Sequence, residues 1–458
     1  MIDEAAQRQA PAERDALQTA GLRSTLGRIV AGRPGARDAL SQAVGGAAAL
    51  ERLLAVGTPA DLAALPFTTK DDFRAWYPFG GAVVPRDQLR RLHASSGTTG
   101  PPTVTLYTAA DLATWGRLTA RALDAAGVGP GDVFHNAMHY GLFTGAFGMQ
   151  LGADHLGLLT VPAGSGQTAR QLRLLCDLGV TVLHVTPSYA LHLLELAGQT
   201  GIDLRPLPLR VLVCGAEPWT EGDRAGLEAG FGARVVDHYG LSEVLGPGVA
   251  FECAEREGLH LNEDHFLPEV IDPESGRPLP EGAEGELVLT TLTREAVPVL
   301  RYRTRDLTRL LPGPCACGRT LRRMVRVRDR TDDMLIFHGV NVFPSQVAHV
   351  LSERHHLPAN YQLVVEGDRR RPRGLEVRVE LPSATAERRG GSAAFEAELR
   401  RDLESHLGIR VAVTVLPPGA VPRSEGKAVR VISNSGAQAG APAAGGGRRA
   451  QPGSFDQR

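Results

Sequence analysis

The stretch RVLVCGAEPWTEGDRAGLEAGFGARVVDHYGLSE, residues 210–243, holds two short valine-rich runs separated by a polar segment with helical spacing. An apolar strand, an amphipathic helix and a second apolar strand make a βαβ unit, whose two strands run parallel. The same alternation occurs upstream in VFHNAMHY (133–140), LGLLTVPA (156–163) and TVLHVTP (181–187). These repeated units predict a mostly parallel sheet covered by helices.

The sequence on either side of this region has a different pattern. Residues 1–64 are rich in alanine, leucine and arginine with helical spacing, and they predict a helical segment that packs on the core. The stretch EGELVLTTLTREAVPVLRYRT (284–304) alternates polar and apolar residues, which predicts an added antiparallel, β-rich subdomain. We therefore expect one large domain with its core at 65–329.

A smaller α+β domain is predicted at 330–433. It combines a helix from Pro344, strands at 361–367, 375–382 and 411–419, and a helix at 395–408. The last helix carries one apolar stripe, which consists of Phe395, Leu399, Leu403 and Leu407. Residues 383–394 are predicted to be an exposed connection, and 434–458, which lack apolar content, a disordered tail.

Composition limits the classes of partner. The 458 residues, 43% of them hydrophobic, suffice for two domains, and 50 basic against 51 acidic residues leave a formal charge of -1. The chain has no excess of basic residues that would favour binding to nucleic acid or to an anionic membrane surface. We therefore expect a small-molecule partner. The sequence shows no secretory signal and no apolar run long enough to span a bilayer, which predicts a cytoplasmic protein.

The loop HASSGTTGPPTVT (93–105) is typical of phosphate binding. Hydroxyls and exposed backbone N–H groups suit a polyphosphate, and the loop comprises Ser95, Ser96, Gly97, Thr98, Thr99 and Gly100. Pro101 stands where a Walker loop has lysine. A plain polar turn is the alternative. GSGQTA (164–169) also fits a dinucleotide pattern, but no acidic residue lies about 20 residues further on.

Further motifs follow this loop in a fixed order: CGAEPW (214–219), DHYGLSE (237–243), RYRTRD (301–306), RVRDRTDDMLIFHG (326–339) and PRSEGKAVRV (422–431). Together they resemble the signature set of the adenylate-forming ligases. With YGLFTG (140–145), TPSYAL (186–191), EDHF (263–266) and GVNVFPSQ (339–346), they are similar to the phenylacetate-CoA ligase family. The resemblance runs from about Leu65 to Val431. It implies an α/β fold class, with a large adenylate-forming domain and a small mobile C-terminal α+β domain.

Three features depart from the family pattern. Pro101 replaces a usual lysine, Asp329 replaces a glycine, and a tyrosine-rich motif near the N-terminus is missing. Asp329 restricts the backbone angles available to a glycine, so we expect it to affect the rate of domain rotation.

The resemblance implies a nucleotide site. Glu243 would direct Mg²⁺, a cation that prefers oxygen ligands, and Asp306 would accept both ribose hydroxyls. Tyr239 would lie over adenine, and Arg330 would contact the ribose. The other residues that the resemblance assigns to the nucleotide are Gly215, Ala216, Glu217, Pro218, Asp237, Gly240 and Ser242. A helix cap is the alternative role for Glu243. A surface ion pair with Arg303 or Arg305 is the alternative for Asp306.

A phosphate-binding loop often carries a lysine, and Pro101 stands in that position here. The same resemblance assigns the positive charge to a lysine of the small domain instead. Lys427 would bridge the acyl carboxylate and the α-phosphate of ATP, and a solvated surface lysine is the alternative. Asp332 would be the hinge for rotation of that domain. The pantetheine path of CoA would be lined by Gly339, Val340 and Asn341. The acyl pocket would be lined by Tyr140, Phe143 and Ala216, although aromatic residues also build ordinary cores.

The five cysteines divide into two groups. Cys253, His260, Cys315 and Cys317 make a Cys3His set that suits tetrahedral Zn²⁺, and unliganded core cysteines are the alternative. Cys176 and Cys214 are predicted to be core residues.

These observations favour an ATP-dependent aryl-acid CoA ligase that uses ATP, Mg²⁺ and CoA, and structural Zn²⁺ is a further candidate cofactor. A carrier-protein thiol or an amine remains an alternative acceptor, and a catalytically silent nucleotide-binding protein is a third possibility. Dimerisation of two copies through the large domain is implied by the resemblance.

Overall fold

The computed structural model describes residues 1–95, 102–337, 340–357, 360–368, 371–381, 391–423 and 429–434. Its helices are α1 Glu4–Gln7, α2 Pro11–Gly32, α3 Ala36–Ala43, α4 Ala47–Val56, α5 Lys70–Ala75, α6 Ala109–Ala125, α7 Thr144–His155, α8 Thr168–Asp177, α9 Pro187–Thr200, α10 Glu221–Phe231, α11 Pro344–His349 and α12 Ser392–Leu407. Short 3-10 turns cover Pro59–Ala64 and Arg86–Gln88, and a π turn covers Val350–Arg354.

The strands of the large domain are β1 Arg91–Ala94, β2 Val104–Tyr107, β3 Val133–Asn136, β4 Leu159–Val161, β5 Val182–Val185, β6 Val211–Gly215, β7 Arg234–Leu241, β8 Gly246–Glu252, β9 Leu259–Leu261, β10 Phe266–Ile271, β11 Gly285–Thr291, β12 Tyr302–Thr308, β13 Leu310–Leu311, β14 Arg323–Met324 and β15 Asp329–Arg330. Those of the small domain are β16 Leu335–Phe337, β17 Val340–Val342, β18 Tyr361–Asp368, β19 Arg371–Glu380, β20 Ala412–Leu416 and β21 Val431–Asn434. Here, "large domain" means the part that carries β1–β15, and "small domain" the part that carries β16–β21.

A parallel sheet forms the centre of the large domain, as the βαβ pattern predicts. In the part of the chain that the structure describes, the sheet has the order β13-β14-β9-β8-β7-β6-β5-β3-β4. The pairs from β7 to β4 are parallel, and β8 joins β7 antiparallel. Valine-rich strands such as β5 and β6 are buried along their whole length, because helices cover both faces of a parallel sheet. The predicted α/β fold class is confirmed.

Helix caps place two loops at the carboxyl ends of the central strands. Thr220 caps α10 by accepting a hydrogen bond from the Asp223 N–H at 3.0 Å, and Thr186 caps α9 just after β5. The Glu217 carboxylate, in the loop after β6, accepts a hydrogen bond from the Ser188 N–H at 2.6 Å. These bonds fix the loop after β6 against the start of α9.

The predicted antiparallel subdomain is a sheet of order β10-β11-β12-β15. The N-terminal helices pack on this sheet, as expected: Leu22 and Leu26 of α2 share one apolar cluster with Leu267 and Leu292. The predicted exposed connection and the predicted tail fall largely on 382–390 and 435–458, outside the described residues.

The small domain is an α+β unit with the sheet order β20-β19-β18-β21. Its apolar stripe is buried as predicted, at 3% exposure or less for Phe395, Leu399, Leu403 and Leu407. Within the described ranges, no helix has both the length and the apolar character that a bilayer crossing requires.

One cysteine prediction is wrong. Cys214 is buried in β6, but Cys176 is exposed near the end of α8. The buried face of α8 includes Leu172 and Leu175, and each helical residue is turned about 100° from the previous one. Cys176 is therefore rotated out of the core although its neighbour Leu175 is inside.

Candidate active site

The predicted nucleotide residues meet where β6 and β7 end. Gly215 is the last residue of β6, and Ala216 follows it with a φ of 73°, a left-handed conformation that is rare for a residue with a side chain. Gly240 lies in β7 close to β8, where a Cβ atom would lie only 2.0 Å from the Gly246 carbonyl oxygen. Close backbone packing and a strained turn therefore shape the strand ends at which the prediction places the base.

Tyr239, Asp306 and Arg330 form one hydrogen-bonded group that joins three strands. The Tyr239 hydroxyl donates to Asp306 Oδ2 at 2.5 Å, and Arg330 Nη1 donates to Asp306 Oδ1 at 2.6 Å. Burial and the charge of Asp306 raise the pKa of Tyr239 well above its ordinary value. Three residues that were predicted separately to contact adenine or ribose thus share one place.

The alternative role for Asp306 is not the one observed. Arg303 pairs with Glu286 on β11, and Arg305 lies 3.7 Å from the same carboxylate. Asp306 instead pairs with Arg330. Burial lowers the pKa of Arg330, but the carboxylates of Asp306 and Asp332 outweigh that effect and raise it.

Glu243 lies in the turn between β7 and β8. No helix begins there in the described range 102–337, since β8 starts at Gly246, so the helix-cap alternative is wrong. Burial raises the pKa of Tyr302, and the charge of Glu243 and a hydrogen bond to it raise it further. The preceding Ser242 shares a 2.8 Å hydrogen bond with Thr144 at the start of α7. The turn is thus anchored on both sides, and its carboxylate faces the tyrosine that begins β12.

The Asp237 side chain belongs to a buried charge network, which sequence reasoning missed. Arg326 Nε lies 2.9 Å from its carboxylate, and the Trp219 indole N–H donates to it at 3.2 Å. Burial raises the pKa of Asp237 to about 7 against the lowering effect of Arg326. Arg224 and Glu252 complete the network with a 2.8 Å bond. A contact of Asp237 with the nucleotide stays a prediction.

Two buried histidines, one on β5 and one on β7, contact each other inside the large domain. His184 of β5 and His238 of β7 face each other with their Nε2 atoms 3.3 Å apart, and His184 Nδ1 bonds Asn136 at 3.0 Å. Burial lowers the pKa of His238 to about 4 and that of His184 well below its ordinary value. Both rings are therefore neutral in the core directly beside Tyr239.

The predicted phosphate loop lies between β1 and β2 in the sequence. β1 and β2 pair antiparallel, and Ser95 continues the pairing because its N–H donates to the Thr103 carbonyl at 3.0 Å. The Ser95 hydroxyl accepts a hydrogen bond from the Thr103 N–H at the same distance. The other predicted loop residues, Ser96, Gly97, Thr98, Thr99 and Gly100, and the departure Pro101 lie outside the described residues.

The rival glycine motif at 164–169 has a structural role. Gly164 and Gly166 have positive φ angles in the turn before α8. Their carbonyl oxygens accept hydrogen bonds from the Gln171 side chain at 2.7 and 3.1 Å. The turn is therefore tied to its own helix.

Predicted acyl-pocket residues flank the start of the phosphate loop. The backbone of 139–143 contacts β1, because the Ala94 N–H donates to the Leu142 carbonyl at 2.9 Å. Tyr140 is half-buried against Phe147, and Phe143 and Leu142 are 40% and 57% exposed. Exposed apolar side chains beside the nucleotide residues suit an apolar acid, although their role stays a prediction.

The predicted hinge is an exposed turn between the domains. Asp332 follows β15 of the large domain and precedes β16 of the small one, and both of its oxygens accept bonds from Arg330, at 2.9 and 3.1 Å. Val340 and Asn341 are exposed on β17, whereas the third CoA residue, Gly339, lies outside the described residues. Lys427 also lies outside them.

The Cys3His set comes together. Its ligand atoms all lie within 4.8 Å of one another, with 3.7 Å between the sulfurs of Cys253 and Cys315 and 3.4 Å between Cys317 Sγ and His260 Nε2. Burial lowers the pKa of His260 to about 4, so its ring is neutral. The Leu321 carbonyl lies 3.4 Å from the other ring nitrogen, Nδ1, which leaves Nε2 free to act as a ligand.

Family models match both domains. Residues 36–292 match the model described as AMP-binding enzyme, and 339–434 match AMP-binding enzyme C-terminal domain. The phenylacetate-coenzyme A ligase of Aromatoleum evansii is 49% identical over 377 residues, which covers 81% of this chain and 85% of that protein.

Solved structures of 2-hydroxyisobutyryl-CoA ligase show which domain arrangement this chain shares. Its postadenylation state in complex with 2-HIB-AMP superposes with a TM-score of 0.86 at 27% identity, covering 94% of this chain and 92% of that one. Its thioesterification state with 2-HIB-AMP and CoA gives only 0.67 at 28% identity, covering 94% and 91%. Considered with the site geometry and the sequence relatives, these matches establish that the chain belongs to the phenylacetate-coenzyme A ligase family of AMP-binding enzymes.

Proposed function

We propose that this enzyme activates an arylacetic acid such as phenylacetate with ATP and then transfers the acyl group to the thiol of CoA. The observation that carries this proposal is the joining of Tyr239, Asp306 and Arg330 at the end of β7, with Glu243 on the adjacent turn. The group offers an aromatic face, two acceptor oxygens and a guanidinium, which together suit a nucleoside.

Adenylation brings two anions together, so alignment and charge neutralisation dominate its chemistry. A carboxylate oxygen of the acid bonds to the α-phosphorus, and the bond from that phosphorus to the pyrophosphate oxygen breaks. Lys427 would balance the charge that develops between them. Glu243 would hold Mg²⁺, which when bound neutralises phosphate charge. Glu243 fits this role because carboxylate oxygens are ligands that Mg²⁺ prefers, and the Ser242–Thr144 hydrogen bond holds the turn that carries it.

Thioester formation completes the reaction. The sulfur of CoA bonds to the acyl carbonyl carbon, the bond to the AMP oxygen breaks, and the thiol proton passes to solvent. The exposed residues Val340 and Asn341 would line the approach of the pantetheine arm. Dimerisation through the large domain is part of the proposal only by family resemblance, and sedimentation analysis tests it.

Two assays test the proposal. ATP-pyrophosphate exchange with phenylacetate measures adenylation, and chromatography of phenylacetyl-CoA and AMP measures transfer, with acetate as the acid that lacks a ring. Exchange without a CoA product would favour a carrier-protein or amine acceptor. The absence of exchange with any aryl acid would identify a silent nucleotide-binding protein.

We also propose that Cys253, His260, Cys315 and Cys317 bind a structural Zn²⁺. Zinc–sulfur bonds of about 2.3 Å at tetrahedral angles require sulfur–sulfur distances of about 3.8 Å, and the Cys253–Cys315 separation is 3.7 Å. The cluster packs with Ala122 of α6 and Phe251 of β8, so it would stabilise that junction.

Metal analysis of the purified protein tests the zinc site. We expect about one equivalent of zinc in the wild type and in Cys176→Ser, a control whose thiol is exposed and outside the cluster. We expect less than half an equivalent in Cys317→Ser, together with a lower melting temperature. Wild-type protein with less than half an equivalent would contradict the site.

A further inference from the structure

In the described part of the chain, polar contacts cross between the domains at two places, one on α9 and one on β15 next to Arg330. Arg423 of the small domain donates to Glu195 on α9 of the large domain, at 2.9 and 3.0 Å. Ser345 on α11 of the small domain donates to Asp329 on β15 of the large domain, at 2.6 Å. Asp329 is one of the three departures from the family pattern.

We propose that Glu195 and Asp329 are positioning residues that hold the small domain in the arrangement used for adenylation. The proposal rests on the two-step reaction given above. The chain superposes far better on the postadenylation state of 2-hydroxyisobutyryl-CoA ligase than on its thioesterification state, with TM-scores of 0.86 and 0.67. Contacts across the domain boundary therefore belong to the first arrangement, and rotation of the small domain about Asp332 separates them.

The Arg423 contact has the geometry of a strong ion pair. Both Glu195 oxygens accept hydrogen bonds from one guanidinium, and the side chains are only 28% and 17% exposed. The guanidinium of Arg423 lowers the pKa of Glu195. A bidentate, partly buried pair is stronger than the single contacts usual at surfaces.

The Asp329 side chain makes a hydrogen bond that the glycine usual at this position in the family could not make. Its φ angle is not in the left-handed region, so this position does not require glycine for backbone reasons. Its carboxylate accepts the Ser345 hydroxyl in the first turn of α11, close to the predicted hinge. The aspartate therefore adds a contact across the boundary, and its effect on the rate of rotation stays a prediction.

The domains also contact each other closely where α10 meets the π turn of the small domain. Gly222 on α10 faces Ser352 in the π turn of the small domain, and a Cβ atom at 222 would lie 3.0 Å from the Ser352 Cβ. A larger side chain at 222 requires Ser352 to move away while the domains are docked, but α10 itself accepts any good helix former. Gly222→Leu is therefore a steric wedge that removes no hydrogen bond.

The test compares two half-reactions. Adenylation is measured by ATP-pyrophosphate exchange, and transfer by the reaction of synthetic phenylacetyl-AMP with CoA. If each step needs one arrangement and the domains exchange rapidly, the ratio of the two rates follows the equilibrium constant between the arrangements. A variant that merely unfolds part of the enzyme lowers both rates and leaves the ratio unchanged.

We expect Glu195→Gln and Asp329→Ala each to lower the adenylation-to-transfer ratio roughly fivefold, and the double variant to multiply the two effects. Gly222→Leu should lower the ratio as well. The matched control is Asp203→Asn, which breaks a bidentate pair with Arg205 inside the large domain. A ratio that stays at the wild-type value in Glu195→Gln and Asp329→Ala overturns the inference. Wild-type enzyme without either half-reaction would instead contradict the proposed function.

Discussion

Tyr239 donates a 2.5 Å hydrogen bond to Asp306, although the two residues lie 67 positions apart and on different sheets. β7 belongs to the parallel sheet and β12 to the antiparallel one, so this bond joins the two sheets at the residues predicted to bind the nucleotide. Arg330 binds the other Asp306 oxygen at 2.6 Å and extends the connection to the hinge.

Asp306→Asn should raise the KM for ATP in the exchange assay by roughly tenfold to a hundredfold. Tyr239 and Arg330 donate to different Asp306 oxygens, and asparagine replaces one of these acceptors with an NH2 group that can only donate. Hydrogen bonds to charged groups contribute about 1.5 to 3 kcal/mol. Asp203→Asn, which removes an exposed carboxylate, is the control. An unchanged KM for ATP would separate Asp306 from the nucleotide.

Lys427→Ala should slow adenylation about a hundredfold to a thousandfold, because loss of one preorganised charge contact costs about 3 to 4 kcal/mol in the transition state. The chain has only one other lysine, Lys70, which is exposed at the start of α5. Lys70→Ala is therefore a natural control for pyrophosphate exchange. Normal exchange in Lys427→Ala would refute the assignment.

Asp332→Pro should damage CoA transfer far more than adenylation, because proline fixes φ at the residue about which rotation is predicted. Asp332→Ala is the control, since it removes the bonds to Arg330 without restricting the backbone. Separate assays of the two half-reactions distinguish the cases. Equal damage to both half-reactions by the proline would remove the hinge assignment.

Phe143→Ala should raise the KM for phenylacetate about tenfold and leave the KM for ATP unchanged, since burial of one aromatic side chain against a ligand contributes about 1.5 to 3 kcal/mol. Leu178→Ala truncates another apolar residue of similar exposure, 43%, outside the candidate site. If the KM for phenylacetate in Phe143→Ala equals that of the wild type, and the KM for ATP is also unchanged, Phe143 does not line the acyl pocket.

Acid should destabilise the protein below about pH 6.5 through the buried histidine pair. The pKa of His238 is about 4 in the folded state, so the unfolded chain binds a proton more readily between pH 4 and its ordinary value of about 6.5. Stability is therefore full above that range and falls as the pH drops through it, by about 3 kcal/mol for this residue. Melting temperatures at pH 7.5 and pH 5 test this.

His238→Gln should lower the melting temperature at pH 7.5 but reduce its change with pH. An undiminished change with pH in this variant would assign the acid sensitivity to other groups.

Local patterns predicted the strands well and the long-range contacts poorly. β5, β6 and β7 fall within the valine-rich runs because burial on both faces needs apolar residues throughout. Cys176 was misplaced because its apolar neighbours do not reveal on which side of α8 it lies. The Arg423–Glu195 pair joins positions 228 apart, and no local pattern shows it.

The structure brings together predicted site residues that come from separate motifs. Tyr239, Asp306 and Arg330 come from motifs far apart in the chain, yet the fold brings them together. Sequence reasoning missed Arg326 and His238, because a buried arginine and a buried histidine have no distinctive spacing. Asp329 stands out in the sequence as an unusual residue, but its partner Ser345 lies 16 positions away in the other domain, and no local pattern shows the contact.

The Arg423 guanidinium binds one carboxylate in each domain. Besides Glu195, it binds Glu380 of its own domain, at 2.6 and 2.8 Å. When the small domain departs, Glu380 still neutralises the arginine, so no stranded charge opposes the return. If the small domain rotates as proposed, the Arg423–Glu195 ion pair would open and close in every catalytic cycle with little penalty.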